Sequence, residues 1–173
     1  MQSVLFVCTA NICRSPMAEG VFRALLAKKG VKASIEVDSV GTHDYHIGEP
    51  PFAGAVEAAK RRGYEIAHLV ARRISSGDFD HFDMILAMDR GNIVHLKTIA
   101  PTRCKPKIEL LLEYGDKYHG KDIGDPYGGD AKGFETALDM IEDGCNGLLQ
   151  LVSTSSRNPP ASPPSDSSGP RTS

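Results

Sequence analysis

A chain of 173 residues, 40% hydrophobic and 24% charged, is sized and composed for one domain with a sizeable core. Its formal net charge of −2 gives no global pull toward nucleic acid or an anionic membrane, and no apolar run approaches bilayer-spanning length. The four cysteines (Cys8, Cys13, Cys104 and Cys145) make a poor disulfide framework for this length, so free thiols in a cytoplasmic setting are expected.

No basic segment precedes the first apolar run, so no signal peptide is expected. Residues 4–7, Val-Leu-Phe-Val, predict a buried strand. A helix is predicted over residues 17–29, with Pro16 suited to its first turn and Gly30 as its stop. Val21, Phe22, Leu25 and Leu26 share its inner side, with Arg23, Lys28 and Lys29 outside. Between strand and helix lies Cys8-Thr9-Ala10-Asn11-Ile12-Cys13-Arg14-Ser15. That link is short enough to curl, turning several N–H groups toward one point at a helix N-terminus, which makes an anion site. Such surroundings favour the thiolate of a cysteine held there. With Arg14 able to grip two oxygens bidentately, Cys8 is equipped to attack phosphorus.

Residues 34–39 alternate as a strand and lead into a Gly- and Pro-containing loop over residues 41–50. A helix is predicted at 51–62 with Gly63 closing it, a strand at 82–88, a helix at 89–99 stopped before Pro101, and a strand at 108–112. A long loop then ends in Asp125-Pro126-Tyr127-Gly128-Gly129. The last helix, 134–152, buries Phe134, Leu138, Ile141, Cys145 and Leu148. Strand and helix alternate throughout. This predicts a single doubly wound, Rossmann-like α/β domain over residues 1–153, a four-stranded parallel sheet with helices on both faces. Residues 154–173, rich in Ser and Pro, are expected to be a disordered tail. In such a sheet the loops after Val7, Ser39, Met88 and Leu112 share one edge, which brings Tyr45 and Asp125 to Cys8.

The first motif continues as Ser15-Pro16-Met17-Ala18-Glu19-Gly20, and the whole run resembles the phosphate loop of low-molecular-weight protein tyrosine phosphatases. Later landmarks follow in order: Ser39 with Gly41-Thr42, Ala71-Arg72, Asp78-Phe79, Ala87-Met88-Asp89 and Asp125-Pro126-Tyr127. The resemblance implies hydrolysis of phosphotyrosine on proteins through a phosphocysteine intermediate. Cys8 would be the nucleophile, Arg14 the phosphate clamp and Asp125 the general acid, within a loop completed by Thr9, Ala10, Asn11, Ile12, Cys13 and Ser15. Ser15 would stabilise the thiolate, Asn11 would lock the loop with Ser39 as partner, and Ile12, Tyr45 and Tyr127 would wall the substrate ring. Cys13 would form a reversible disulfide with Cys8. No metal or cofactor is implied, and the expected state is a monomer or a weakly self-associating one acting on phosphotyrosine proteins.

Read without the resemblance, Ser15 is a helix N-cap, Ser39 a strand-end polar residue, Asp125-Pro126 turn chemistry and Tyr45 loop packing. Asp89 reads as the N-cap of its helix or as a partner of the site, and Asp122 as a substitute acid. Two departures stand out. Leu69, not histidine, occupies the position where many relatives support the loop asparagine, with His68 one place away. Tyr127 is followed by Gly128 where many relatives carry a second tyrosine. The competing readings are an arsenate reductase-like enzyme, which needs a relay of further cysteines, and a catalytically silent phosphotyrosine-binding module, which needs neither nucleophile nor acid.

Overall fold

The computed structural model describes residues 3–31, 34–155 and 163–164. Four strands, β1 (Ser3–Cys8), β2 (Glu36–Gly41), β3 (Met84–Ala87) and β4 (Ile108–Leu110), form one parallel sheet in the order β2-β1-β3-β4. β1 is central and buried along its length, which explains its unbroken apolar run. Val4, Phe6 and Cys8 face a layer formed by α1 (Arg14–Lys28), α2 (Ala53–Arg61) and α5 (Ala131–Ser155). Leu5 and Val7 face the opposite layer, with Phe79 of α3 (Ser76–His81) and Leu96 of α4 (Arg90–Ile99). Both faces are covered, as the alternating pattern predicts.

From β1 the chain crosses to β2 on one side and later returns to β3 on the other, so the strand order reverses at the carboxyl end of β1. That is where open α/β sheets bind ligands. In register, Cys8 pairs with Gly41 and Val7 with Ala87, which brings the loops after three strands to one edge. Gly41 is required there by space: a Cβ would meet the Thr9 carbonyl oxygen at 2.8 Å.

Several boundaries differ from the sequence expectations. α1 begins at Arg14, because the phosphate loop itself closes onto the helix, with Met17 N–H donating to Cys13 O. β2 runs on to Gly41, whose N–H donates to Arg72 O, a tertiary pairing invisible to local alternation. After β4, residues Leu111–Tyr114 turn into a 3-10 segment instead of extending the strand. α3 and a 3-10 segment at Thr102–Lys107 were not predicted; the first is short and polar, and its one signal is Ser75 three residues before Asp78, whose carboxylate accepts the Ser75 N–H at 2.8 Å. α5 starts earlier and ends later than expected, with its five predicted core residues all buried. The expected tail, beyond Ser155 and apart from 163–164, lies outside the described residues. Among the described residues no helix is long and apolar enough to cross a membrane.

α5 packs so closely on the segment after β4 that a Cβ on Gly147 would stand 1.6 Å from the Tyr114 carbonyl oxygen. Alanine is the better helix former by about 1 kcal/mol, but a backbone oxygen cannot rotate away as a side chain can. Gly147→Ala should therefore destabilise the protein by about 3 kcal/mol, lowering Tm by roughly 10 °C. A thermal melt with Tm unchanged or raised would contradict this packing.

Candidate active site

The loop from Cys8 to Arg14 is held from outside through its carbonyls. Thr42 N–H donates to Cys8 O (2.9 Å), His43 N–H to Thr9 O (3.0 Å) and Phe52 N–H to Ile12 O (2.8 Å). The peptide bonds are trans, so each outward carbonyl turns the next N–H to the opposite side. The N–H groups of Thr9, Ala10, Cys13 and, through the first bond of α1, Arg14 are thereby set toward the interior of the loop. Asn11 takes φ of 58°, the one positive value for a non-glycine among the described residues. Asparagine tolerates that conformation better than most residues, and here its side chain secures it. Its Oδ1 accepts from Arg72 N–H at 3.0 Å, while its Nδ2 donates to Ser15 Oγ at 2.8 Å and Ser39 Oγ at 3.0 Å.

Ser15 Oγ lies 3.0 Å from Cys8 Sγ and 3.3 Å from the Val40 carbonyl. The N-cap of α1 is Cys13, so the helix-cap alternative for Ser15 is overturned. Ser39 also has a more specific place than a polar strand end: its hydroxyl donates to Glu19 Oε1 at 2.8 Å. Glu19, only 2% exposed, is held in turn by Arg23 Nε at 2.8 Å. Arg72 ties this network to the rest of the sheet edge through ion pairs of 2.9 Å with both Asp38 and Asp78. His68 is exposed and is absent from this network, so Arg72 N–H and Ser39 hold the asparagine in its place.

Arg14 is 2% exposed, and its three nitrogens are used unequally. Nη1 is committed to Asp89 at 2.6 Å and to the Ile123 carbonyl at 2.9 Å. Nη2 has only loose neighbours, Thr9 Oγ1 at 3.4 Å and Asp125 Oδ2 at 3.6 Å, and buried Nε has no partner. The Nε–Nη2 edge is therefore the one free for a bidentate anion. Burial opposes the charge of Arg14, but Cys8, Asp89 and Asp125 outweigh it and raise its pKa. Asp89 is both the N-cap of α4, accepting Asn92 N–H at 2.8 Å, and the partner of Arg14.

The phosphate loop and Arg14 open onto a cavity of about 220 Å³. Cys8, Thr9, Ala10, Cys13 and Arg14 line it from the phosphate loop, and Ile12, Tyr45, Tyr127 and Asp125 line it too, all expected from the sequence; Asn11, Ser15 and Ser39 do not line it and bond to one another behind the loop. Tyr45 and Tyr127 are 65% and 52% exposed, Tyr45 stacked on His43 and Tyr127 edge-on to Phe52. The Asp125 carboxylate is fixed by the Tyr127 N–H at 3.1 Å. Asp122 is turned to Arg90 at 2.8 Å and does not line the cavity, so it is no substitute acid. Cys13 is buried beside Cys8; burial, then the Cys8 and Asp125 charges, push its thiol up to about 12 despite Arg14. The sequence reading missed Glu19, Arg23, His46 and Asn92. A carboxylate among the apolar positions of α1, four residues before an arginine, was the available signal for the first pair.

The sequence profile of the family described as low molecular weight phosphotyrosine protein phosphatase matches residues 3–158. The chain belongs to that family. A low molecular weight protein-tyrosine-phosphatase of Bacillus subtilis, YfkJ, is 44% identical over 152 residues, covering 88% of this chain and 96% of that one. The low molecular weight phosphotyrosine protein phosphatase of Homo sapiens is 43% identical over 151 residues, covering 86% and 94%. A crystal structure of the Entamoeba histolytica protein tyrosine phosphatase superposes with a TM-score of 0.86 at 33% identity, covering 90% of this chain and 99% of that one. The phosphatase fold therefore spans nearly all the described residues.

Proposed function

We propose that this chain hydrolyses phosphotyrosine on proteins through a phosphocysteine intermediate. One observation carries the reading: Cys8 Sγ, in contact with Ser15 Oγ, shares a cavity with the free edge of Arg14 and the carboxylate of Asp125. Arg14 and the loop amides hold the phosphoryl oxygens while the Cys8 thiolate attacks phosphorus. Asp125 delivers a proton to the departing phenolate, whose pKa of about 10 makes it a poor leaving group at neutral pH. The same carboxylate then takes a proton from the water that attacks phosphocysteine, and Ser15 donates to the released thiolate. Ile12, Tyr45 and Tyr127 line the cavity and suit a flat ring; in this reading phosphoserine, a shorter side chain, would not reach Cys8. Ile12 also argues against phosphoarginine, for which related enzymes typically carry threonine at that position.

Asp125→Asn tests the reading. It should lower kcat on a phosphotyrosyl peptide by roughly 10²- to 10³-fold, and on p-nitrophenyl phosphate, whose leaving group needs less help, by clearly less. Equal losses on both substrates would remove Asp125 as the acid. Neither alternative gains support: Cys104 is buried in the opposite layer and Cys145 within α5, so neither lines the cavity for the relay of an arsenate reductase. A silent binding module would give no turnover of either substrate. Cys13 also fits a protective role. Peroxide would convert the Cys8 thiolate to a sulfenic acid, and attack by the Cys13 sulfur would expel water and leave a disulfide that a thiol reductant reopens. The raised pKa of Cys13 keeps it protonated in the resting enzyme, so that Cys8 is the sulfur peroxide reaches first.

A further inference from the structure

Thr9 and Asn92 have geometry that the proposed reaction leaves unexplained. Thr9 lines the cavity, and its Oγ1 accepts from Asn92 Nδ2 at 3.2 Å and from Arg14 Nη2 at 3.4 Å. A hydroxyl has two acceptor positions and one proton. With both acceptor positions met by donors, the proton is directed elsewhere. The direction left is toward an acceptor beside Arg14 Nη2, where the free guanidinium edge would hold an oxygen. Asn92 is 3% exposed and sits in the first turn of α4, its N–H fixed on Asp89 Oδ1. Its own Oδ1 is buried without a partner. A buried orphan acceptor is a cost to stability, and this one accompanies an amide whose N–H₂ end is presented to Thr9.

The geometry points to Thr9 as a phosphate-binding hydroxyl, oriented by Asn92, that donates its proton to the phosphoryl oxygen held beside Arg14 Nη2. This rests on the phosphatase reading and adds a side-chain donor to the amides and arginine. Asn92 is then a positioning residue, acting through Thr9. The opposite orientation of its amide would draw the Thr9 proton onto Asn92 Oδ1 and away from the cavity, so the two arrangements predict opposite effects of truncating Asn92.

The test is titration calorimetry with inorganic phosphate, alongside kcat and KM for p-nitrophenyl phosphate, on the full chain. Thr9→Val keeps the shape and removes the hydroxyl. It should weaken phosphate binding and lower kcat/KM by roughly tenfold, the size expected for one hydrogen bond to a charged acceptor. Thr9→Ser should recover most of both. Asn92→Ala should weaken both about threefold in the wild-type background and add nothing to Thr9→Val, as coupled residues do. If Thr9→Val does not fold, Thr9→Ala carries the same comparison. Unchanged phosphate affinity in the folded Thr9 variant, or tighter binding in Asn92→Ala, overturns the inference. A wild type that neither binds phosphate nor turns over the ester overturns the phosphatase reading instead.

Discussion

Cys8→Ser is expected to abolish phosphate-ester turnover, by at least about 10⁴-fold in kcat, while leaving the fold and phosphate affinity close to wild type. The fold should survive because the side chain is small, buried and in contact with Ser15 Oγ, a partner that a serine hydroxyl can also use. The chemistry should not survive. A hydroxyl needs a base to become a nucleophile, whereas a thiol is a far stronger acid and its sulfur a far better nucleophile. Around Cys8 the structure supplies the Ser15 hydroxyl and the Arg14 guanidinium; Asp89 is bonded to Arg14, and Asp125 makes no hydrogen bond to Cys8. None of these is arranged to remove a proton from a serine at position 8. Steady-state assays, a thermal melt and phosphate titration on the same preparation measure all three properties. Activity within tenfold of wild type would sink the covalent mechanism, and a collapsed melt would show that Cys8 is needed for packing instead.

Much of this arrangement was legible in the sequence because local pattern and topology point the same way. Residues 4–7 are apolar without interruption since β1 is buried on both faces. Because the strands are parallel, the loops bearing Tyr45 and Asp125 reach the same edge as Cys8. What escaped was side-chain traffic between elements. Serine before an apolar run is usually a helix cap, and only the resemblance set Ser15 beside the thiolate; the cap is Cys13, and the further bond from Asn11 Nδ2 to the Ser15 hydroxyl is invisible to local pattern. Glu19 lies in the quoted motif, yet its role depends on Ser39 from β2, which no spacing within α1 discloses. The missing histidine at Leu69 was visible, whereas its replacement by a backbone N–H of Arg72 was not, since any residue type carries that donor. Asn92 was hidden for a similar reason: it reads as one more polar residue in a short helix until Thr9 is seen above it.

The unequal use of Arg14 makes Arg14→Lys and Arg14→Ala informative as a pair. Lysine keeps a positive charge for Asp89 but offers one point of charge in place of a planar fork. With Asp89 2.6 Å from Nη1, a lysine ammonium should settle on that carboxylate, removing the two guanidinium donors of Nε and Nη2 from the anion space. Losing two preorganised donors to a phosphoryl group should lower kcat/KM by about 10³-fold or more. Alanine should be as inactive and less stable, because it strips Asp89 and the Ile123 carbonyl of their shared partner. The Asp89 side chain retains 26% exposure, so water meets part of that loss and the destabilisation should be about 2 kcal/mol, below the range for a fully buried pair. The expected result is therefore one activity and two melting temperatures: both variants dead, lysine melting near wild type and alanine several degrees below it. If Arg14→Lys retained activity within tenfold of wild type, charge alone would suffice and the bidentate grip would be wrong. If both variants melted like wild type, the Arg14–Asp89 pair would have no part in holding α4 against the phosphate loop.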